Sequence, residues 1–323
     1  MTDFALRHSQ ARTSGRRHMF CGIPLAHPIV NGSGTFDAIA ARRAFGDALL
    51  ERFPFAAFVS KTVTLSPRQG NPPPRLWELG AGMINSIGLP NKGLEGYLAH
   101  DLPQLAELPV PLVVNVMGSS AEDVGRLVTA FAERDEVAAL ELNVSCPNVR
   151  TGLLMGADPR ETAALLDAVR ARTTKPLIVK LTPNCASPAG VAAAAEQHGA
   201  DAVSLINTLR GMAMHPRRAG EPWLGGSTGG VSGPAVRAVA LAQVREIRQR
   251  VRIPIVGMGG VQTGAHARDL LDAGADLVGV GTESFRDPLA GARIAAELAR
   301  NDANSGLFGG PLEPARPRIA HGG

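Results

Sequence analysis

The segment LNVSCPN, residues 142–148, sets Cys146 three residues after Asn143 and two before Asn148, with Pro147 fixing the backbone between them. A thiol in such a polar setting can serve as acid or base, because its thiolate takes up a proton and its neighbours tune how much thiolate is present. The ordinary alternative is a small buried residue that fills space. Asn85 and Asn207 extend the set, since Asn85, Asn143, Asn148 and Asn207 all fall at or near the ends of apolar runs. Amides offer donor and acceptor together without net charge. Four of them suit a small planar ligand with alternating C=O and N–H groups, such as a pyrimidine ring.

Lysine is scarce. Of 33 lysines and arginines only Lys61, Lys92, Lys175 and Lys180 are lysines. Lys61 and Lys180 close apolar runs, where a compact desolvated cation has uses that a bidentate fork lacks. A lysine snorkelling from a strand end is the ordinary alternative. Glycines form the third group: GMGGV (257–261), GVGT (279–282) and STGGVSG (227–233). Paired glycine turns can present backbone N–H groups to a phosphate, although one such turn alone is common and says little. No G-x-G-x-x-G follows an early strand, which disfavours a Rossmann-type dinucleotide site. A hydrolase would show a carboxylate pair or a Ser/His/Asp set, and no dense His/Cys/Asp cluster points to a metal.

These residues need elements to carry them. Short apolar runs alternate with longer segments of helical period. The runs are 28–33, 56–61, 111–116, 139–145, 176–181, 202–207, 254–258 and 277–281. Runs apolar throughout fit parallel strands covered on both faces. Ser119–Glu122 reads as a capping box, and Asp158-Pro159, Ser187-Pro188 and Asp287-Pro288 read as helix starts. HGADAVSLINT (198–208) and DAGADLVGVGT (272–282) echo each other as the joints of repeated αβ units. Eight such units predict an α/β fold of the (β/α)8 TIM-barrel type, with a doubly wound open sheet as the alternative. In a barrel, chemistry collects at the C-terminal strand ends. Here those ends read Ser33, Lys61, Asn115, Asn143 with Cys146, Lys180, Asn207 with Thr208, Gly259-Gly260 and Gly281-Thr282.

Composition bounds the rest. The 323 residues, 45% of them apolar, can bury one large core or two modest ones. No apolar run approaches the length of a bilayer span, and the N-terminus lacks the apolar stretch of a signal peptide. Cys21, Cys146 and Cys185 lie far apart without C-x-x-C spacing, as expected in a reducing cytoplasm and not in a disulfide, iron–sulfur or zinc scaffold. The net charge of +4 sits mostly in residues 1–18, where Arg7, Arg12, Arg16 and Arg17 face Asp3 alone. That is the pattern of a polar tail and not of a nucleic-acid groove. The expected organisation is a tail over 1–18, a barrel over 19–300 and a C-terminal tail over 301–323.

In chain order, FVSKT, GMINSIGLPNKG, LELNVSCPNVRTG, VKLTPN, LINT, TGGVSG, GMGGV and VGT resemble the motifs of class 1 dihydroorotate dehydrogenases. The resemblance spans about residues 20–300 and is most like the class 1B branch. It implies a barrel that binds FMN and oxidises dihydroorotate to orotate in pyrimidine biosynthesis. It also implies a partner electron-transfer subunit with FAD and a [2Fe–2S] cluster, which delivers electrons to NAD. The implied assembly is a homodimer of barrels flanked by two such subunits, without nucleic acid or membrane.

By the same resemblance, Cys146 is the base that removes the C5 proton. Asn85, Asn143, Asn148, Asn207 and Thr208 hold the pyrimidine together with Ile87, Gly88 and Leu89. Lys61 touches both flavin and substrate, and Lys180 lies at the N1/O2 edge of the flavin. Ser33, Thr62, Asn115, Asn143, Ile206, Gly233, Gly259, Gly260, Gly281 and Thr282 complete the FMN site. The stretch from Asn148 to Asp158 is a candidate lid. His215, in GMAMHPRRAGEP where relatives often carry aspartate, departs from the pattern, as do WELGAGMIN and both termini. The rivals are a fumarate-linked class 1A enzyme, a dihydropyrimidine dehydrogenase and, more remotely, a tRNA-dihydrouridine synthase.

Overall fold

A computed structural model describes residues 18–144 and 156–308. Fourteen strands run in chain order within them. A hairpin, β1 (His18–Phe20) and β2 (Ile23–Leu25), comes first, and β3 (Ile29–Asn31) and β4 (Phe58–Val59) follow. The chain continues through β5 (Leu76–Leu79), β6 (Gly82–Asn85), β7 (Leu112–Val116), β8 (Ala139–Asn143) and β9 (Leu177–Lys180). The last five are β10 (Ala202–Leu205), β11 (Leu209–Gly211), β12 (Gly229–Ser232), β13 (Ile255–Met258) and β14 (Leu277–Val280).

Each of the eight expected runs contains one strand of a single parallel sheet, ordered β3-β14-β13-β10-β9-β8-β7-β4. The sheet closes at its two ends. Ala56 N–H donates to the Ile29 carbonyl at 2.9 Å. The buried Asn31 side chain accepts from Val59 N–H through Oδ1 and donates to the Val59 carbonyl through Nδ2, both at 2.8 Å. One amide thus takes the place of a missing pair of ladder bonds. The expectation of a (β/α)8 barrel holds, and the open doubly wound sheet is excluded.

The continuous apolar runs split by alternation. Val59, Val113, Ala139, Ile178, Ala202, Val256 and Leu277 pack inside the barrel. Val114, Leu140, Leu142, Val179, Val203, Ile255 and Val278 pack outward against helices. Those helices are α1 (Ala38–Phe45), α2 (Ala48–Glu51), α3 (Gly93–Gly96), α4 (Leu102–Leu105) and α5 (Ala121–Ala132). After them come α6 (Pro159–Val169), α7 (Pro188–Gln197), α8 (Arg237–Arg248), α9 (Gly264–Ala273) and α10 (Ala290–Phe308). The caps at Asp158 and Ser187 form as expected, accepting from Arg160 N–H and Gly190 N–H. The capping box at α5 is shifted by one residue. Ser120, not Ser119, is the cap and accepts from Asp123 N–H, while the Asp123 carboxylate accepts from Ser119 N–H. Two adjacent serines leave that register open in sequence, and the strand-to-helix turn decides it. Helix α10 also runs past residue 300 to Phe308.

Two additions fall outside the eightfold pattern. The β1–β2 hairpin puts Phe20 and Leu25 against the barrel interior at the N-terminal strand ends. A four-stranded antiparallel sheet, β11-β12-β6-β5, stands at the opposite end over a small core of Ile84, Ala213 and Leu224. Trp77 and Trp223 pack beside it with ring centroids 4.9 Å apart. Residues 227–233, expected as a glycine-rich turn, therefore hold a strand, and Gly230 pairs with Asn85. A Cβ at Gly230 would lie 1.9 Å from Thr208 Oγ1, so the glycine serves close approach and not turning. No helix among the described residues is long and apolar enough to cross a membrane.

His27 ties this framework to pH. Its Nδ1 accepts from Ile29 N–H at 3.2 Å at the entry to β3, a bond that needs the neutral ring. Burial, and secondarily nearby His18, lower its pKa from 6.5 to about 4. Between those values the unfolded chain binds more protons than the folded one, so stability is present above pH 6.5 and declines as pH falls toward 4. In urea titrations from pH 7 to pH 4, the wild type should lose roughly 2 kcal/mol more than His27→Gln, allowing for partial exposure. Parallel curves for the two proteins would remove His27 from the acid response.

Candidate active site at the barrel mouth

The C-terminal ends of the barrel strands enclose a cavity of about 520 Å³ beside the antiparallel sheet. Its wall collects nearly all the described residues singled out from sequence. Ser33 follows β3, Lys61 and Thr62 follow β4, and Asn143 and Lys180 end β8 and β9. Ile206, Asn207 and Thr208 follow β10. Asn85, Ile87, Gly88 and Leu89 come from β6 and the loop after it, and Gly233 comes from the end of β12. Gly259-Gly260 and Gly281-Thr282 follow β13 and β14. Cys146, Asn148 and most of the candidate lid lie outside the described residues.

Asn115 differs. It is fully buried and does not line the cavity. Its register partner is Glu141, two residues before the wall residue Asn143, which sets Asn115 one layer beneath. There its amide Nδ2 donates to the buried carboxylate of Glu141, which also accepts from Ser204 Oγ at 2.6 Å. Asn115 Oδ1 has no hydrogen-bond partner among the described residues. Sequence reading passed over Glu141 and Ser204. The signal was a lone acidic residue inside the apolar run ALELN, facing the barrel axis by alternation.

The two ends of the cavity differ in chemistry. At one end the glycine turns bring backbone close. Gly260 has φ 67°, and a Cβ there would meet Arg237 Cβ at 2.7 Å and the Gly233 carbonyl at 3.0 Å. Thr282 Oγ1 donates to Ser232 Oγ at 2.8 Å, tying this end to β12. At the other end stand cations and amides. Asn143 Nδ2 donates to Thr62 Oγ1 at 3.3 Å, Asn85 Nδ2 to the Gly230 carbonyl at 3.3 Å, and Thr208 N–H to Asn207 Oδ1 at 2.9 Å. Lys61 is exposed to the cavity. Lys180 is only 6% exposed, yet makes no ion pair among the described residues.

A buried ammonium without a carboxylate requires electron-rich atoms from elsewhere. The unpartnered Asn115 Oδ1 is an acceptor in the same layer as Glu141. With close-approach glycines at one end and Lys180 at the other, the residues present fit a phosphorylated ring compound such as flavin mononucleotide.

The wall also holds residues that motif reading did not select: Gln262, Glu283, Phe285 and Arg286. Phe285 and Leu76 are exposed at the rim, where Arg286 pairs with Glu78 at 2.8 Å. His215 accepts from Arg217 N–H and Arg218 N–H and packs on Trp223 at 5.3 Å, so it shapes the covering loop and does not enter the cavity. Burial pushes the Cys21 thiol up to about 12 and raises that of Cys185, keeping both protonated at neutral pH. No His/Cys/Asp/Glu cluster that could hold a metal occurs among the described residues.

Comparison with known proteins agrees with this geometry. The family model described as dihydroorotate dehydrogenase matches residues 17–301. A protein of Bacillus pumilus named dihydroorotate dehydrogenase B (NAD(+)), catalytic subunit, is 44% identical over 86% of this chain and 88% of its own length. Proteins of the same name from Pelobacter propionicus and Geotalea daltonii are 43% and 41% identical, over 86% and 88% of this chain and 90% and 92% of their own lengths. Similarity of that extent, running through every strand that builds the cavity, makes this chain a member of the dihydroorotate dehydrogenase family.

Proposed function

We propose that the chain is the catalytic subunit of an NAD-linked dihydroorotate dehydrogenase that binds FMN and converts dihydroorotate to orotate. One observation carries the reading. The glycine turns, both strand-end lysines and three of the four asparagines, far apart in sequence, line a single cavity in a member of this family. Gly259, Gly260, Gly281, Thr282 and Gly233 would hold the phosphate. Lys180, Ser33, Thr62, Asn143 and Ile206 would hold the ring system, with Asn115 supporting them from one layer beneath. When bound, FMN supplies the two-electron acceptor for the hydride that leaves C6 of the substrate.

The protein's own residues supply the rest. Asn85, Asn143, Asn148 and Asn207 exchange donor and acceptor bonds with the pyrimidine and fix its plane, with Thr208, Lys61 and the Ile87–Leu89 backbone at its edges. The Lys180 ammonium, already stripped of water, stabilises negative charge that develops beside it. The Cys146 thiolate takes the proton from C5, so C–H cleavage at the two carbons is divided between a base and an acceptor on opposite faces of a held ring. The name of the relatives supports NAD as the final oxidant, which requires a partner subunit to relay electrons; FAD and a [2Fe–2S] cluster would serve there.

The decisive experiment is anaerobic bleaching of the purified flavoprotein. Dihydroorotate should bleach it, whereas dihydrouracil and tRNA should not; bleaching by either of those would replace the assigned substrate. Turnover with NAD should appear only once the partner subunit is added, and turnover of the lone chain with fumarate would reassign the acceptor.

Two variants test roles. Cys146→Ala should retain FMN but be reduced by dihydroorotate roughly 100- to 10,000-fold more slowly. In the wild type the reduction rate should rise with pH, because an ordinary thiol is only ~3% thiolate at pH 7. A flat profile, or an active alanine variant, removes the thiolate from the reaction. Lys180→Gln should weaken FMN binding roughly tenfold and shift the flavin midpoint to more negative potential, read by fluorescence titration and equilibrium reduction. An unchanged midpoint would mean that Lys180 faces some other group.

A further inference from the structure

The phosphate end of the cavity contains a carboxylate. Glu283 directly follows Thr282, lines the cavity with Gln262, and has a side chain only 15% exposed. A negative charge beside an anion-binding turn opposes binding unless something offsets it. Here both carboxylate oxygens are engaged. Oε1 accepts from Arg293 Nη2 at 3.2 Å, and Oε2 accepts from Gln262 Nε2 at 3.1 Å. Arg293 Nη1 also donates to the backbone carbonyl of Gln262 at 2.9 Å. Arg293 itself stands on α10 behind the wall and does not line the cavity.

The balance of charge there is narrow. The same guanidinium pairs with Asp287 at 2.9 Å and Glu297 at 3.3 Å. Three carboxylates share it, and among the described residues Arg293 is the only cation paired with Glu283. His266 is close, its Nδ1 accepting from Gln262 N–H at 3.3 Å. Burial and Arg237 keep its pKa below the ordinary value, so it adds little positive charge at neutral pH.

We propose that Arg293 is a positioning residue for the nucleotide phosphate: it neutralises Glu283 and anchors Gln262, so the turns after β13 and β14 can hold a dianion. This rests on the FMN reading above and adds a residue which that reading does not use. Without Arg293, the carboxylate faces the phosphate uncompensated and the turn loses its anchor at Gln262. The charge penalty falls on the phosphate alone, so riboflavin, the same ring system without it, is the control ligand.

The test uses the full chain stripped of flavin and titrated with FMN and with riboflavin at low and high salt, read by quenching of flavin fluorescence. Arg293→Gln should weaken FMN binding roughly tenfold at low salt and less at high salt, with riboflavin changed by less than about twofold. Arg293→Gln combined with Glu283→Gln should bring FMN back to within about threefold of wild type. Glu283→Gln alone, which keeps the arginine, should bind FMN at least as tightly as wild type.

Equal losses of both ligands in Arg293→Gln, or no recovery in the double variant, would mean that the arginine only supports the fold and would overturn the proposal. Weaker FMN binding by Glu283→Gln would overturn it even if Arg293→Gln does not fold. A wild-type chain that holds neither flavin sinks the cofactor reading and this proposal together. Normal FMN binding with no FMN-selective loss in the variants sinks this proposal alone.

Discussion

A parallel sheet can gather eight strand ends around one mouth only if its first and last strands meet, and here a buried amide, beside one backbone bond from Ala56 to Ile29, holds that seam. Asn31 gives β3 and β4 the N–H and C=O partners at Val59 that a regular ladder would provide. The bonds lie inside a 1% exposed environment, where an unmade backbone bond is costly. With the seam shut, every barrel strand points its C-terminus the same way. Residues separated by most of the chain, such as Ser33 and Thr282, then share one cavity wall. Closure also leaves the inner faces to pack on one another below the mouth, where Phe20 and Leu25 of the hairpin seal the far end.

Charge is layered along the barrel axis. The mouth carries Lys61 and Lys180, and one layer below sits the carboxylate of Glu141, held by neutral donors from Asn115 and Ser204. The two lysines above and the carboxyl group below, none of them in an ion pair among the described residues, set this end of the cavity apart from its glycine end. The glycine end is built in the opposite way. There a wall carboxylate, Glu283, is paired from behind the wall by Arg293, which also donates to the Gln262 carbonyl. One cavity thereby joins a glycine-lined end to a lysine-bearing end.

The antiparallel sheet over the mouth is what makes this barrel more than a generic scaffold. Barrels of this kind host many chemistries, and the fold alone assigns none. The sheet supplies Asn85, Met83 and Val231 to the wall, and it depends on glycines at 229 and 230 to pass close to Asn85 and Thr208. Family membership and the residues of this cavity agree, which is why the reading of function rests on the site and not on the barrel.

The sequence alone determined the eight strands, several helix caps and the residue types at the strand ends, because these follow from local rules. A run of apolar residues with a helical partner segment can satisfy its backbone and bury its side chains in few ways. At Asp158-Pro159 and Ser187-Pro188 the cap and the proline start a helix by local chemistry alone, whereas after Asp287-Pro288 helix α10 begins only at Ala290. Tertiary structure alone decided the rest. Strand β12 is glycine-rich and has little propensity of its own, so only its pairing with β6 and β11 makes it a strand. The role of Asn31 depends on a strand 28 residues away, and the pairing of Arg293 on a carboxylate ten residues earlier, in the turn before α10. Asn115 and Asn143 read alike as polar residues of neighbouring strands, yet the stagger of the barrel sends one beneath the cavity floor and the other into its wall. Register and closure arise from long-range pairing, and no local pattern encodes them.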